Sequence, residues 1–203
     1  MKSTPVKASV DASKKRIASG LSRCIVEKGY AQTKLIDVAD ACDISASLIR
    51  YYFKNKESIL EFQYERLVAQ FGVAVARLDQ PTSAAWLRAL ADMLFDDGRA
   101  AQQNLLILME ANVVMARSSK MLELKIKYEQ QILSAIEDKL KDSQLPHKQN
   151  ASTTAQNLFD LLSGLMINVA LEPGRYQPDA CERFCKVASI LTDISLVAFK
   201  ASR

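Results

Sequence analysis

Residues 43–56 read DISASLIRYYFKNK, and this stretch decides the fold that the sequence predicts. It follows a short apolar-periodic segment, LIDVADAC, after which Asp43 can adopt the left-handed conformation of a tight turn. Ser45 is a suitable N-cap for a second short helix, whose apolar positions are Leu48, Ile49 and Tyr52. Two short helices joined by three or four residues are the pattern of a helix-turn-helix, although helical hairpins that never meet DNA share it.

The flanking segments predict a three-helix head. A helix over residues 13–28 is expected to end at Gly29, because its apolar positions follow helical spacing at Ile17, Leu21, Cys24 and Ile25. Thr33 is the expected N-cap of the second helix, and Lys56 opens a longer fourth helix. Residues 1–12 mix Lys, Ser, Thr and Pro without periodicity, so we expect a flexible basic arm there.

Positive charge is concentrated in this head. The formal net charge is +4, and residues 1–56 hold 11 Lys and Arg against 5 Asp and Glu, whereas residues 67–203 hold 15 of each. A basic module joined to a neutral one is typical of a polyanion-binding head on a body with another role. Charge counting alone leaves open the alternative of a solvated surface that is merely basic.

Tyr51, Tyr52 and Phe53 stand together beside Arg50 and a Lys-Asn-Lys run. Aromatic side chains among positive charges are also typical of a stacking platform for single-stranded nucleic acid. When the run is placed on a helix, the three rings separate. We expect Phe53 to turn inward, together with the side of the fold that carries Ile44 and Leu48, and we expect Tyr51 to stay outside.

Residues 61–203 are predicted to form a larger helical body behind a head at residues 1–60. Five helices are expected there, at residues 82–97, 100–117, 119–142, 151–171 and 179–200. Strand-like alternation and Gly-rich phosphate loops are absent from the sequence, and the predicted fold class is all-α with about nine helices. No apolar run reaches the ~18 residues of a membrane span, and the N-terminal residues do not read as a secretory signal, so we expect a cytoplasmic protein.

The last two predicted helices are apolar over most of their circumference, which requires cover on more than one face. A symmetry-related subunit can supply that cover through a four-helix contact. The alternative is a core formed wholly within one chain. The predicted dimer contacts are Leu158, Leu161, Leu162, Leu165, Met166, Leu191 and Ile194.

Catalytic and metal-binding chemistry finds little support. Cys24, Cys42, Cys181 and Cys185 lack the spacing of a zinc site, and the single histidine, His147, lies in a polar stretch that reads as a loop. We therefore expect no metal, no cofactor and no enzyme activity. Cys181 and Cys185 are one helical turn apart, which is close enough for a thiol sensor, although buried small side chains are the plainer interpretation.

The segment from Lys15 to Leu60 resembles the TetR family of bacterial transcriptional regulators. The resemblance rests on EKGY after the first helix, on TKLIDVADA, and on ISASLIRYYFKNKESIL. The family usually has Gly-Val-Ser in the turn, where this chain has Asp43 in place of glycine. Ser47 and Leu48 replace the common Gly-Thr, and Arg50 stands where tyrosine is most frequent. Because these positions lie on or beside the recognition helix, no relative's DNA sequence can be transferred to this chain.

The resemblance implies that the helix from Ser45 to Phe53 enters the major groove of DNA. It predicts contacts to DNA by Lys15, Thr33, Lys34, Ser45, Ala46, Ser47, Arg50, Tyr51, Tyr52, Lys54 and Lys56. Arg50 can pair with guanine O6 and N7, but a phosphate contact is the competing role. Lys56 also opens a helix, whose free N–H groups suit an anion.

The resemblance also implies a homodimer that binds a palindromic operator, with a small-molecule effector bound in the body. The predicted effector contacts are Trp86, Met93, Met109, Asn112, Tyr128 and Phe159, and ordinary core packing is the alternative for each. We expect a repressor that its effector releases from DNA. A DNA-binding architectural or accessory protein without an effector is the alternative function.

Overall fold

A computed structural model describes residues 5–95, 98–141 and 150–196, and these residues form nine α-helices and no strand. The predicted all-α fold is therefore confirmed. The helices are α1 Pro5–Gln32, α2 Leu35–Cys42, α3 Ala46–Tyr52, α4 Lys56–Ala76, α5 Ser83–Leu94, α6 Arg99–Met115, α7 Ser119–Lys141, α8 Ala151–Leu171 and α9 Pro173–Thr192. Helices α2 to α8 lie within a few residues of their predicted positions. None of the described helices is long and apolar enough to cross a bilayer.

The N-terminal helix is longer than predicted. Residues 5–12, which were expected to belong to a flexible arm, are the first turns of α1. Regular helical geometry is interrupted at Gly29, where the helix was predicted to end, because Gly29 has φ 78°. The remaining residues up to Gln32 form a short helical extension after this kink. The combination of φ 78° with ψ 159° is essentially confined to glycine, unlike the left-handed helical region that Asp can also adopt, which explains Gly29 at this position.

Helix α9 is displaced from its prediction at both ends. It begins at Pro173, where a proline at the first helical position loses no hydrogen bond, and it includes Pro178. The motif EPGRYQPD, predicted to be a break, therefore lies largely inside the helix. The helix ends at Thr192, because Asp193 adopts the left-handed conformation with φ 55°. Residues 193–196 of the predicted 179–200 helix are therefore not helical. Residues 197–200 lie outside the described residues, as does His147.

The chain divides into two compact units. One combines the described part of Met1–Val68 with Leu106–Leu124, and the other combines Ala69–Leu105 with the described part of Lys125–Arg203. The predicted division into a DNA-binding domain at residues 1–60 and a ligand-binding domain at residues 61–203 concerns function, and it stays a prediction.

The first unit has a core built by α1, α2, α3 and the start of α4. Its fully buried side chains include Ile17, Leu21, Ile25, Ile49, Ile59 and Leu60. Gly20 of α1 allows α2 to approach closely, since a Cβ at this position would overlap the sulfur of Cys42. Helix α2 thus packs closely on α1, and α3 packs on α2.

The second unit has its own apolar core, centred on α5, α8 and α9. Trp86, Leu87, Leu90, Leu158 and Phe184 are almost completely buried in it. Helix α8 packs along α9, and α5 packs against α9.

Candidate functional site

The turn between α2 and α3 has the conformation that the sequence predicts. Asp43 is left-handed with φ 51°, and its backbone N–H donates to the carbonyls of Ala39 and Asp40. The Ser45 hydroxyl then accepts from the Leu48 backbone N–H at 3.2 Å and so caps α3. This hydrogen bond satisfies one of the free N–H groups at the start of the helix.

Two arginines hold this turn, Arg16, which was expected only to add salt-dependent attraction to DNA, and Arg23, which the sequence interpretation did not assign. Arg16 donates from its guanidinium to the carbonyls of Cys42 and Asp43, with 3.2 Å between Nε and the Cys42 oxygen. Arg23 donates to the carbonyl of Ala41. These carbonyls close α2 and have no partner within it, so the two arginines fix the angle at which the chain enters α3. A basic residue facing a turn more than fifteen residues away leaves no signal in local periodicity.

Helix α3 has one buried side and one exposed side. Ile49 and Phe53 are buried, as expected for Phe53, whereas Ser45, Ser47, Arg50 and Tyr51 are exposed. Tyr51 is 77% exposed and meets Tyr52 edge to face at 5.0 Å between ring centroids. Ala46 and Tyr52 are half-buried.

Leu48 does not pack into the head as predicted. It is 41% exposed, because the turn of α3 that carries Ile49 inward turns the preceding residue to the outside. The outward face of α3 therefore combines a leucine with two serines, an arginine and a tyrosine. Apolar side chains of this kind are able to meet the methyl group of thymine in a major groove.

Arg50 lies on the outward face in the last turn of α3. Within the described part of the chain its guanidinium has no hydrogen bond or ion pair. Lys54 and Lys34 are also exposed, and Lys15 pairs with Asp11 at 2.6 Å. The predicted DNA-contact set thus has four exposed cations, and among the residues that the structure describes, Lys15 is the one of them that forms an ion pair.

Thr33 and Lys56 are engaged inside the head. Thr33 is buried, and its hydroxyl donates to the Gly29 carbonyl at 2.8 Å, so it does not cap α2 as predicted. The N-cap position of α2 is instead occupied by Lys34, whose backbone N–H donates to the Asp37 carboxylate at 2.6 Å. This hydrogen bond and the Lys28 ammonium lower the pKa of Asp37.

The Lys56 ammonium donates to the carbonyls of Tyr30 and Thr33 at 2.6 and 2.7 Å, and it lies 4.1 Å from the centre of the Tyr30 ring. Burial lowers the pKa of Lys56. The contact gathers the end of α1, the start of α2 and the start of α4 around one cation. A phosphate contact by Lys56 or by the Thr33 hydroxyl would require these hydrogen bonds to be exchanged.

Tyr30 has a second anchor, from α6. Its backbone N–H donates to the Glu110 carboxylate at 3.1 Å. The pKa of the Tyr30 phenol is raised to about 12, first by burial and then by the carboxylates of Glu57, Glu110 and Glu61. Neutral tyrosine is therefore the form that the folded head favours.

The folded state should lose stability between pH 10 and 12 because of Tyr30. An unfolded tyrosine ionises near pH 10, whereas the folded one keeps its proton to about pH 12, so the unfolded state is favoured progressively across this window. Urea unfolding at pH 9 and at pH 11.5 should show a larger loss for the wild type than for Tyr30→Phe, which has no phenol to ionise. Parallel losses in both proteins would contradict the raised pKa.

The six predicted effector contacts are divided between the two units. Trp86 is buried, and Met93, Tyr128 and Phe159 are half-buried, all in the second unit. Met109 and Asn112 belong to the first unit, because residues 106–124 of α6 and α7 pack with the head. Within the second unit the Tyr128 ring meets Phe71 at 5.5 Å between centroids.

Two open clefts lie along α9 in the second unit. One, of about 410 Å³, is lined by Arg88, Asp179, Glu182, Arg183, Cys185, Lys186, Ser189 and Leu196. The other, of about 730 Å³, is lined by Asp92, Phe95, Gln102, Pro173, Gly174, Gln177, Pro178 and Cys181. The predicted effector contacts are absent from both linings. In residues 5–95, 98–141 and 150–196, no three His, Cys, Asp or Glu side chains come together as a metal site would require.

The predicted dimer contacts divide between the inside and the surface. Leu158, Leu162 and Leu165 are buried in the core of their own unit, since the strongest apolar stripe of α8 faces that core. Leu161, Met166, Leu191 and Ile194 are half-buried beside it. The apolar side chains that α8 and α9 expose are Ile167, Leu171, Val187 and Ile190.

One family model matches the head. Residues 17–61 match the model of bacterial regulatory proteins, tetR family, so the resemblance read from the sequence is confirmed. No curated protein matches the chain in sequence.

Solved structures share the whole fold. A transcriptional regulator from Rhodococcus sp. Rha1 is similar with a TM-score of 0.77 and 20% identity, over 90% of this chain and 98% of that one. A TetR transcription regulator from Haloarcula marismortui has a TM-score of 0.75 and 16% identity, over 90% and 97%. A proposed regulator from Saccharomonospora viridis, in complex with choline, has a TM-score of 0.73 and 22% identity, over 86% and 94%. At these identities the likeness concerns the fold.

Proposed function

We propose that this chain, with its TetR-family head and TetR-type fold, is a dimeric transcriptional regulator that binds a palindromic operator and represses transcription. The observation that carries the proposal is the outward face of α3. Ser47, Arg50 and Tyr51 are exposed on this face. The opposite side of the helix is packed into the head through the buried Ile49 and Phe53. Rigid support of this kind holds side chains in register with base edges in a groove.

Arg50 supplies sequence readout in this proposal. Its planar fork matches guanine O6 and N7, and no intramolecular partner in the described residues has to be given up first. Lys34 and Lys54 are proposed to contact phosphates on either side, and Lys15 adds salt-dependent attraction. Ser45, Ala46 and Tyr52 lie at the edge of the same face, where contacts to the sugar-phosphate backbone fix the orientation of the helix.

Thr33 and Lys56 support the interface mainly by position. Their hydrogen bonds to the carbonyls of Gly29, Tyr30 and Thr33 hold together the ends of three helices. The backbone N–H groups at the start of α4 remain near a phosphate in this arrangement.

The second copy of the chain is proposed to cover the exposed apolar residues of α8 and α9. Ile167 and Leu171 are one turn apart on α8, and Val187 and Ile190 are one turn apart on α9. Since α8 and α9 pack along each other, these pairs are able to meet their symmetry mates in a four-helix contact. A palindromic operator needs two heads, which only such a dimer supplies.

Ile190→Glu should weaken the dimer. Ile190 is 75% exposed in the single chain, and a carboxylate in a desolvated interface is costly, so we expect the dimer to dissociate about 10- to 100-fold more readily. Light scattering over a concentration series measures this change. Val113→Glu is the matched control, because Val113 is equally exposed at 74% but lies on α6. A dimer that Ile190→Glu leaves intact, or that both variants weaken equally, would contradict this interface.

A small-molecule effector is proposed to bind in the second unit and to lower the affinity for DNA. Support comes from the fold shared with a regulator in complex with choline, and from half-buried aromatic side chains in this unit, among them Phe71, Tyr128 and Phe159. In the coupling we propose, the effector stabilises a dimer whose heads no longer fit successive major grooves.

Selection of binding sites from random duplexes tests the proposed function. The purified full chain should enrich one palindrome with two half-sites about one helical turn apart. If no sequence is enriched, and if the protein binds all duplexes with an affinity that is lost as the salt concentration rises, an architectural protein is favoured instead.

A further inference from the structure

Four polar side chains meet between α5 and α9 in the second unit. Helix α9 contributes Cys181, which is half-buried, and Cys185, which is buried. Helix α5 contributes Arg88 and Asp92. The members of each pair are one helical turn apart, so the two pairs lie opposite each other.

Hydrogen bonds join three of the four groups. The Cys181 thiol donates to the Asp92 carboxylate at 2.9 Å, and the Arg88 Nε donates to both oxygens of that carboxylate at 3.2 and 3.3 Å. Cys185 follows Cys181 by one helical turn, and both Cys181 and the Arg88 guanidinium favour its thiolate. Cys185 thus has groups beside it that stabilise negative charge, whereas Cys181 faces an acceptor.

These contacts give the two thiols opposite chemistry. Cys181 and the Arg88 charge lower the pKa of Cys185 in spite of its burial. The pKa of Cys181 is raised, because Cys185 and the Asp92 carboxylate both favour its protonated form. A thiolate is the nucleophilic form of cysteine, so Cys185 is the more reactive partner.

Both cysteines line open clefts of the second unit. Cys185 and Arg88 line the cleft of about 410 Å³, and Cys181 and Asp92 line the cleft of about 730 Å³. Cys24 and Cys42 are as buried as Cys185, but burial raises the pKa of both, whereas the pKa of Cys185 is lowered. Cys24 and Cys42 therefore serve as reference thiols, for which we expect the lower reactivity.

We propose that Cys181 and Cys185 form a hydroperoxide-reactive dithiol that closes to a disulfide within α9. In the first step the Cys185 thiolate attacks the terminal oxygen of the hydroperoxide and the O–O bond breaks. The sulfur is oxidised to sulfenic acid, and the peroxide is reduced to an alcohol, or to water from hydrogen peroxide, which takes up the proton that Cys185 released.

In the second step the Cys181 sulfur attacks the Cys185 sulfur and the S–O bond breaks. Hydroxide leaves as water with the Cys181 proton, for which Asp92 is the neighbouring acceptor. In total, two thiols and one hydroperoxide give one disulfide, one alcohol and one water.

The product would change the shape of α9. Side chains one turn apart have Cβ atoms about 5–6 Å apart, whereas a disulfide needs about 3.5–4.5 Å, so the turn between Cys181 and Cys185 must tighten. Phe184 and Ala188 of the same helix are buried in the core of this unit, and the distortion would be transmitted to their packing.

Oxidation of the full chain with hydrogen peroxide tests the proposal without DNA. Trypsin separates the cysteines into the peptides 24–28, 35–50, 176–183 and 184–186, so a Cys181–Cys185 disulfide appears as peptide 176–183 linked to 184–186. We expect this linked product and the disappearance of two thiols, while Cys24 and Cys42 stay reduced. Cys185→Ser should abolish the reaction.

Variants of two arginines that line the same cleft distinguish activation of the thiols by Arg88 from oxidation that depends only on their exposure. Arg88→Gln should slow thiol oxidation roughly tenfold, the change that one pKa unit of thiolate population produces. Arg183→Gln is the matched control and should leave the rate unchanged, since Arg183 packs on the Tyr176 ring at 5.6 Å. In urea the advantage of Cys181 and Cys185 over the other two cysteines should vanish. Equal native oxidation rates for all four thiols, no linked peptide, or equal rates in the two arginine variants would overturn the proposal.

Discussion

Arg50→Ala should remove most of the preference for one base pair in each half of the selected palindrome. A bidentate arginine–guanine contact discriminates by about 1–3 kcal/mol, and a dimer makes it twice. The affinity for the palindrome should therefore fall by about 2–6 kcal/mol, or roughly 30-fold to more than 10,000-fold. The fold should be unaffected, because Arg50 is exposed and its guanidinium forms no hydrogen bond or ion pair within the described residues. Fluorescence anisotropy on the palindrome and on single-base variants measures both effects.

Lys54→Ala is the matched control for Arg50→Ala. Lys54 is an exposed cation just after α3, and its replacement should weaken binding to all duplexes alike if it neutralises a phosphate. The slope of log affinity against log salt should then decrease by about one for each phosphate that is no longer neutralised. If Arg50→Ala behaves like Lys54→Ala, Arg50 holds a phosphate and does not read a base.

Phe53→Ala should destabilise the head by about 3–5 kcal/mol. The ring is buried at the end of α3, where it packs edge to face with Phe62 at 5.6 Å between centroids. The Lys14 ammonium lies 5.7 Å from its centre. Removal of the ring leaves a cavity under the recognition helix and releases the C-terminal end of that helix. Urea unfolding followed by circular dichroism measures the decrease in stability.

Tyr51→Ala is the matched control for Phe53→Ala, two residues away on the same helix. Its ring is 77% exposed, so the free energy of unfolding should change by no more than about 0.5 kcal/mol. DNA affinity should fall in Tyr51→Ala if this residue meets the bases. Equal decreases in stability in the two variants would contradict the assignment of Phe53 to the core and Tyr51 to the surface.

The parts of the fold that local chemistry controls were predictable. Asp43 ends α2 in the left-handed conformation, Ser45 caps α3, and Gly29 interrupts the first helix with a positive φ. Each of these features depends on neighbours within a few residues. Helical spacing likewise predicted four inward positions of α2, of which Leu35 is half-buried and Val38, Ala39 and Cys42 are buried.

Features that depend on distant partners were not predictable. The carbonyls of Tyr30 and Thr33 draw Lys56 into the head from more than twenty residues away. Arg16 reaches the turn after α2 across a similar separation. A basic residue has the same sequence signature whether it faces phosphate or a carbonyl.

The same limit applies to the body. Periodicity predicted that Leu158, Leu162 and Leu165 share a face, but only tertiary packing, with α8 along α9, decides that this face lies inside one chain. Met109 and Asn112 were chosen as effector contacts, which stays a prediction, and periodicity did not indicate that residues 106–124 pack with the head. A proline-rich segment was read as a break, although Pro173 is at the one helical position that tolerates proline best.

Sequence-specific binding by a dimer is tested most directly by titrating the full chain against three duplexes at one salt concentration. These are the selected palindrome, a duplex with a single half-site, and a scrambled duplex of equal length and composition. We predict two chains bound to the palindrome and an affinity at least about 1,000-fold higher than for the scrambled duplex, with the single half-site in between. Equal affinity for the palindrome and the scrambled duplex would contradict a sequence-reading regulator.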